Sequence, residues 1–583
     1  MSGNESLLPT YYQKPFPFAK LLKKYVPLIA ISILLTLSLL CYVFMPQIQS
    51  STDFVQRNWP SILTDDTTDP SSPSTTTKAR VYKNEGIKSI ITGDASDGKE
   101  SAGDVVTSGV KAVPLPSGDD PDPKVRERRD FVKDMMRHSW DNYVKYAWGH
   151  NELKPVSHTG HTSDIFGGDS KLGATVVDSL STLYIMNMTD EFRTARDWVA
   201  TSFDMSAVNA DVSVFETVIR FVGGLLSAYG LTNDAVFLQK AVEVADHMLP
   251  AYNTQTGLPL ALVNPKTGKA KNYGWASGGC SILSELGSQH LEFVYLSAAT
   301  GDPKYADKVT KVRQFMDQMV KPHDGLYLNY VNPLTGQWGG EDQVSMGALG
   351  DSFYEYLIKS WVQTNGTDKL ALKMYNEAIA AVDKQLVQKS AQKGLTYLAK
   401  LSYGHLEHKM EHLACFTGGM FGLGALHASD RRTKDHFMAL AAALTDTCAE
   451  SYGRTATGIG PEAFYFTETA EAIAINQYEK YYILRPEVVE SYFYMWRLTH
   501  DQRFRDYAWS AAQAINTHCR TDYGFSGIRN TSDVHSAKDD VQQTFFLAET
   551  LKYLYLIFSS DDLISLDDWV FNTEAHPLPV LRP

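Results

Sequence analysis

Residues 214–229 read VFETVIRFVGGLLSAY, and the fold follows from how that stretch is read. Val214, Phe215, Val218, Ile219, Val222, Leu225, Leu226 and Tyr229 return with a period of 3.6, which predicts a helix with a broad core-facing side. Glu216 and Arg220 stand four apart within it and so share one face. The same periodicity appears at 349–362, 438–451, 488–498 and 544–558. Between these runs lie NTQTGLP, NPKTGK and NPLTGQWGG, whose Gly, Pro and Asn punctuation predicts turns and short hairpins. N-P-x-T-G recurs as turn chemistry and not as a strict repeat, whereas an α-solenoid shows a recognisable period. The expectation is an all-α closed toroid.

At 583 residues the chain exceeds one ordinary core of roughly 50–250 residues. Hydrophobic residues at 44% and charged residues at 21% exclude a collagen-like, wholly disordered or multi-span chain. A net charge of −13 argues against a nucleic-acid partner, which clustered positive charge would favour. Aromatics at 11% allow a large core or a sugar-stacking cleft, and five cysteines are too few for a disulfide scaffold.

Residues 26–45, VPLIAISILLTLSLLCYVFM, carry no charge. Roughly 20 helical residues cross a hydrocarbon layer of about 30 Å. Lys20, Lys23 and Lys24 precede the run, and only Asp53 and Arg57 are charged in the next fifteen residues. The positive-inside rule then makes 1–25 a cytosolic tail and 26–45 an uncleaved transmembrane anchor. A cleaved signal peptide would have a shorter apolar run and an A-x-A-like site. Residues 46–123, rich in Pro, Ser, Thr, Gly and Asp, bury too little to offset chain entropy and read as a flexible lumenal stem. The helical body is 124–583. In this topology Asn187, Asn365 and Asn530 are lumenal glycosylation sequons, while Asn4 stays on the cytosolic side.

Acids recur on otherwise apolar helices. Asp351 and Glu355 repeat the four-residue spacing in LGDSFYEYLIK; Glu487 and Glu490 follow Arg485 and the first-turn proline Pro486 in LRPEVVESYFYMW; Glu549 lies in FFLAETLKYLYLIF. One such acid is most often paired for structure. Acid plus aromatic on helix after helix fits a different need, the protonated and ionised carboxyls that flank a scissile glycosidic bond. The chain has no D-x-D-x-D-G loop, which excludes an EF-hand-like calcium site.

FVKDMMRHSWDNYVKYAWGHNEL, GATVVDSLSTLYIM, VSVFETVIRFVGGLLSAYGL, GALGDSFYEYLIK, HLACFTGGMFGLGAL, YYILRPEVVESYFYMWRLTHD, FFLAETLKYLYLIF and FNTEAHPLPV follow one another in order. Across 124–583 the chain thereby resembles the class I α-1,2-mannosidases, glycoside hydrolase family 47. NADVSVFE, NYGWASGGCSIL and EKYYILRPEV look like the Golgi-type branch more than the endoplasmic-reticulum branch. The resemblance implies an (α/α)7 barrel and inverting, Ca2+-dependent removal of terminal α-1,2-linked mannose from high-mannose N-glycans. It also implies residence in the Golgi membrane as a single-pass type II protein, with the endoplasmic reticulum as the alternative. Glu216 matches the general acid, acting through a water, and Glu487 the base; Asp351 is the second candidate for base. Asp178, Arg220, Glu285, Glu355, His412, Glu462, Arg485, Glu490, Phe545 and Glu549 match positions lining the sugar subsite. Thr573 matches the threonine whose hydroxyl and carbonyl hold Ca2+, leaving water and sugar hydroxyls to complete six to eight oxygens. Cys415 and Cys448 match the family's disulfide pair. Cys280 and Cys519 are expected to be buried free thiols, and Cys41 falls in the anchor. One departure is VDSLSTL where the family commonly has VDSLDTL, so Ser181 replaces an acid while Asp178 remains. A lectin on the same barrel would keep aromatics and Ca2+ but lose carboxylates, and all three acids are here. A barrel glucosidase would survive chelation.

Overall fold

A computed structural model describes residues 115–582. The expected tail, the anchor and stem residues 46–114, with Asn4 and Cys41, lie outside the described residues. Helix α1 (Pro123–Ala147) starts where the Asp122 side chain accepts from the Lys124 N–H, with Pro123 in the first turn. Residues 115–122, placed in the stem by composition, pack on the body instead. Asp120 is buried and pairs with Arg505 at 2.8 Å, and Arg129 donates to the Gly118 carbonyl at 2.7 Å. These contacts tie the segment down where its composition alone would leave it loose.

The remaining helices come in hairpins: α2 (Ala174–Ile185) with α3 (Thr189–Thr201), α4 (Val214–Thr232) with α5 (Ala235–Met248), α6 (His290–Thr300) with α7 (Lys304–Gln318). Then follow α8 (Asp351–Gln363) with α9 (Lys369–Gln385), α10 (Thr417–Leu426) with α11 (Arg431–Gly453), and α12 (Glu487–Thr499) with α13 (Gln502–His518). Last comes α14 (Leu551–Ile557), which packs on α1. The first member of each hairpin touches the first member of the next, and α14, through the turn before it, returns to α2. The ring is closed, as an α/α barrel. Burial separates its layers: in α2 only Tyr184 escapes full burial, whereas α3 buries just Ala195 and Val199. Residues Val214–Thr232 are long and apolar enough to span a bilayer, but 83% of their most apolar window is buried, so they are barrel wall.

Two details depart from a regular 3.6-residue reading. Thr217–Val222 and Phe546–Thr550 are π-helical turns inside inner helices, a distortion that gathers at functional sites. The other detail is the C-terminal hairpin, Trp569–Phe571 paired with Pro577–Pro579, which packs on α4, α6 and α8. Gly223 makes room for its tip: a Cβ there would lie 2.5 Å from Asn572 Nδ2. Cys415 and Cys448 form a disulfide that joins the lead-in of α10 to α11, and Cys280 and Cys519 are buried free thiols.

Candidate active site

Four groups of buried polar residues gather on the inner helices and on the tip of the C-terminal hairpin. The first starts at Ser213, whose hydroxyl accepts from the Glu216 N–H at 3.2 Å and so begins α4. Arg220 Nε donates to Glu216 Oε2 at 2.8 Å, which realises the shared face expected from their spacing. The same guanidinium donates to Thr544 Oγ1 at 3.0 Å and to the carboxylate of Glu574, and lies 3.5 Å from Asp178. The Phe166 and Phe545 rings flank it with centroids at 5.9 and 5.8 Å. Burial alone would raise the Asp178 carboxyl, but His576 and Arg220 hold it below the usual range. Ser181 lies 3.3 Å from His576 Nδ1, so the serine that replaces the family's acid still meets a polar partner.

The second group centres on Glu487, the first residue of α12; Pro486 stands just before it as the cap. Its Oε2 lies 2.7 Å from His412 Nδ1, and Arg485 stands 3.9 Å from Oε1 while gripping Glu462 at 2.6 and 2.8 Å. Burial pushes the Glu487 carboxyl up, yet His412 and Arg485 outweigh it and keep the group below the usual carboxylate range. His412 arrives there because strand Lys409–Glu411 pairs with Ala463–Phe466 and runs directly into it.

Lys359 anchors the third group. It bonds Glu355 one turn earlier on α8 and lies 3.7 Å from Glu490 of α12. Burial pushes Glu490 up to about 8 in spite of that lysine. Glu549, in the second π turn, is raised well above the ordinary range by burial and then by Glu574, Glu490 and Glu487. Glu549 thus feels charges of both the Arg220 and the Glu487 groups. Asp351 opens α8 with Oδ1 accepting from the Ser352 N–H at 2.8 Å, and it is buried. Glu285 is buried, and Tyr273 feels both it and Glu216.

The fourth group is the hairpin tip, residues 572–576. Asn572 Nδ2 donates to the Ile219 carbonyl at 2.9 Å and to Glu292 at 2.7 Å, and its Oδ1 accepts from the His576 N–H at 2.8 Å. Lys552 Nζ reaches the Ala575 carbonyl at 2.5 Å, and burial brings that lysine down to about 7. Burial also brings the Glu292 carboxyl up to about 7, and Tyr356 donates to it at 2.6 Å. Asn572, Glu574, His576, Glu292, Tyr356 and Lys552 were not among the residues singled out from sequence. The polar run N-T-E-A-H inside an apolar C-terminal stretch was the available signal.

Thr573 is half-buried in a stretch, 571–578, whose other residues are buried. Its N–H donates to the Tyr356 hydroxyl at 3.3 Å, and among the described residues its hydroxyl and carbonyl make no hydrogen bond. No group of three or more His, Cys, Asp or Glu is arranged to hold a metal among the described residues. A cation here would draw on the two Thr573 oxygens and on water or sugar hydroxyls, a hard-oxygen set that suits Ca2+. At the surface, Asn187 and Asn365 are exposed and Asn530 is half-buried.

Carboxylates, paired cations and aromatic rings gathered on the inner helices of a barrel meet the needs of an enzyme that hydrolyses glycosidic bonds. Residues 135–580 match the profile of glycosyl hydrolase family 47, and the chain belongs to that family. Over 476 residues it is 54% identical to mannosyl-oligosaccharide 1,2-alpha-mannosidase IB of Mus musculus, covering 81% of this chain and 73% of the relative. Over 459 residues it is 55% identical to mannosyl-oligosaccharide alpha-1,2-mannosidase IA of Drosophila melanogaster, covering 79% and 68%. Among solved structures it is similar to an alpha-1,2-mannosidase from Trichoderma reesei, with a TM-score of 0.71, 29% identity, and coverage of 78% of this chain and 99% of that one.

Proposed function

We propose that this glycoside hydrolase is a mannosyl-oligosaccharide 1,2-alpha-mannosidase that removes terminal α-1,2-linked mannose from high-mannose N-glycans with inversion. The observation that carries the reading is the Glu487 carboxylate fixed by His412 and Arg485 in the same ring interior as Glu216. Glu487 is held ionised by His412 and Arg485, as a base that activates water requires. Glu216, held by Ser213 and Arg220, takes the role of the acid that protonates the leaving oxygen through a water, a reading its fixed position supports. Asp351 is the alternative base. Glu355, Glu490, Glu549, Glu462 with Arg485, His412, Glu285, Asp178 and Phe545 surround the sugar. Ca2+ bound at Thr573 would hold the mannose by its ring hydroxyls and favour its distortion. The barrel is the sevenfold (α/α)7 form, its hairpins counted with α14 and α1 as the last pair. Residues 26–45, with the lysines before them, support anchorage in the Golgi membrane with the body in the lumen.

The test is a time course of the detergent-solubilised full chain on a defined nine-mannose glycan with Ca2+. Free mannose should appear first as the β-anomer and should cease with a chelator or a mannose-mimicking inhibitor such as kifunensine. No free mannose, or an α-anomer first product, would overturn the reading.

A further inference from the structure

We propose that Tyr452 is a positioning residue for the hydrolytic base: acting through His412, it holds the Glu487 carboxylate on one line. The proposal rests on the reading of Glu487 as that base. His412 Nδ1 is 2.7 Å from Glu487 Oε2, and His412 Nε2 is 2.7 Å from the Tyr452 hydroxyl. An imidazole held at one nitrogen can still swing about its own axis; held at both, it cannot. Tyrosine suits the far end because its hydroxyl both donates and accepts. The bond therefore survives whether His412 is neutral or protonated as a reaction cycle proceeds.

The surroundings make the clamp stiff. His412 and Tyr452 are almost fully buried. The His412 ring lies 5.8 Å from both the Tyr452 and the Tyr482 ring, and the two tyrosine side chains interact with each other. Tyr482 in turn donates to the Arg485 carbonyl at 3.0 Å, so it too is fixed. His412 precedes Cys415 by three residues and Tyr452 follows Cys448 by four, so the disulfide pins together the two segments that carry the pair. The charged and titratable groups facing Glu487 are His412, Arg485, Glu490, Glu549, Tyr452 and Tyr482. Of these, His412 and Arg485 favour its ionised form. Loosening the histidine removes one of them and moves the base toward protonation.

The experiment compares Tyr452→Phe, His412→Gln and the double variant in the full chain. Tyr452→Phe should lower kcat roughly tenfold, below the 10²-fold that a 1 Å misplacement can cost. KM should stay within about twofold, and the acid limb of the kcat profile should move to higher pH. The double variant should be no slower than His412→Gln alone, and the His412 imidazole N–H resonance should shift in Tyr452→Phe. An unchanged kcat and acid limb, an unmoved resonance, or losses that add in the double variant would each overturn the proposal. Should Tyr452→Phe fail to fold, 3-fluorotyrosine at 452 keeps the shape while changing the hydroxyl's acidity. A shifted acid limb then supports the clamp and an unshifted one overturns it. A wild-type chain that releases no mannose would sink the reading of the base, and the resonance still reports on the Tyr452 bond.

Discussion

Glu216 is held before any sugar arrives, by the Ser213 hydroxyl at its N–H side and by Arg220 at its carboxylate. Because Arg220 can donate to an amide oxygen as well as to a carboxylate, Glu216→Gln should keep the fold and glycan binding. The amide cannot pass a proton to the leaving oxygen, so kcat should fall roughly 10²–10⁴-fold. Calorimetry of inhibitor binding alongside turnover checks both halves, and an unaltered kcat would take Glu216 out of the acid role. At this scale the sequence was readable where an acid interrupts an apolar helix, as Glu216, Glu355, Glu490 and Glu549 do. For Glu574 and Asn572 the sequence offers only a short polar run in an apolar stretch, which says nothing of their partners. Their importance comes from insertion of a turn into helices some 350 positions earlier, and no local pattern encodes a contact across that separation.

Among the elements, the hairpin tip depends on the wall it enters. Asn572 donates to the Ile219 carbonyl, and Gly223 leaves the side-chain space that this requires. Gly223→Ala should push Asn572 aside, at about 1–3 kcal/mol as for other overpacked sites. With Thr573 displaced, the Ca2+ affinity of the proposed site should drop about 10–100-fold, the usual effect of disturbing a supporting residue. Titration calorimetry reads the affinity and a denaturant melt the stability; wild-type values for both would mean the tip adapts. Apolar periodicity located the helices correctly, including 214–229 and 544–558. It passed over the π turns at Thr217–Val222 and Phe546–Thr550, because one extra residue per turn barely disturbs a pattern that is apolar on nearly every side.

For the whole molecule, the interior concentrates more carboxyls than cations, and that sets a pH dependence. Burial raises Glu490 from an ordinary value of about 4.3 to about 8. Between those values the folded chain keeps a proton that the unfolded chain gives up. The group's contribution to stability is thus complete below pH of about 4.3 and is lost as pH rises through about 8. Glu487, held low, works in the opposite sense: its contribution is present above about 4.3 and is lost as pH falls through its folded value. In chelator the melting temperature should fall from pH 5 to pH 8, and Glu490→Gln should flatten that slope. Parallel curves for the two proteins would refute the assignment. Closure of the ring was expected from successive amphipathic helices without a repeat period. The order of its layers emerges only from packing, since α2 and α3 are both plain helices until burial tells inner from outer.

The hairpin at 569–579 also has a temporal meaning. Ribosomes deliver it after every helix of the barrel, and Thr573, Glu574 and Asn572 reach the interior only once it has been threaded. Asn572, Thr573 and Glu574 therefore join helices that are all synthesised before them. A chain cut before Asn572 would contain every helix of the ring and lack the tip that packs on three of them.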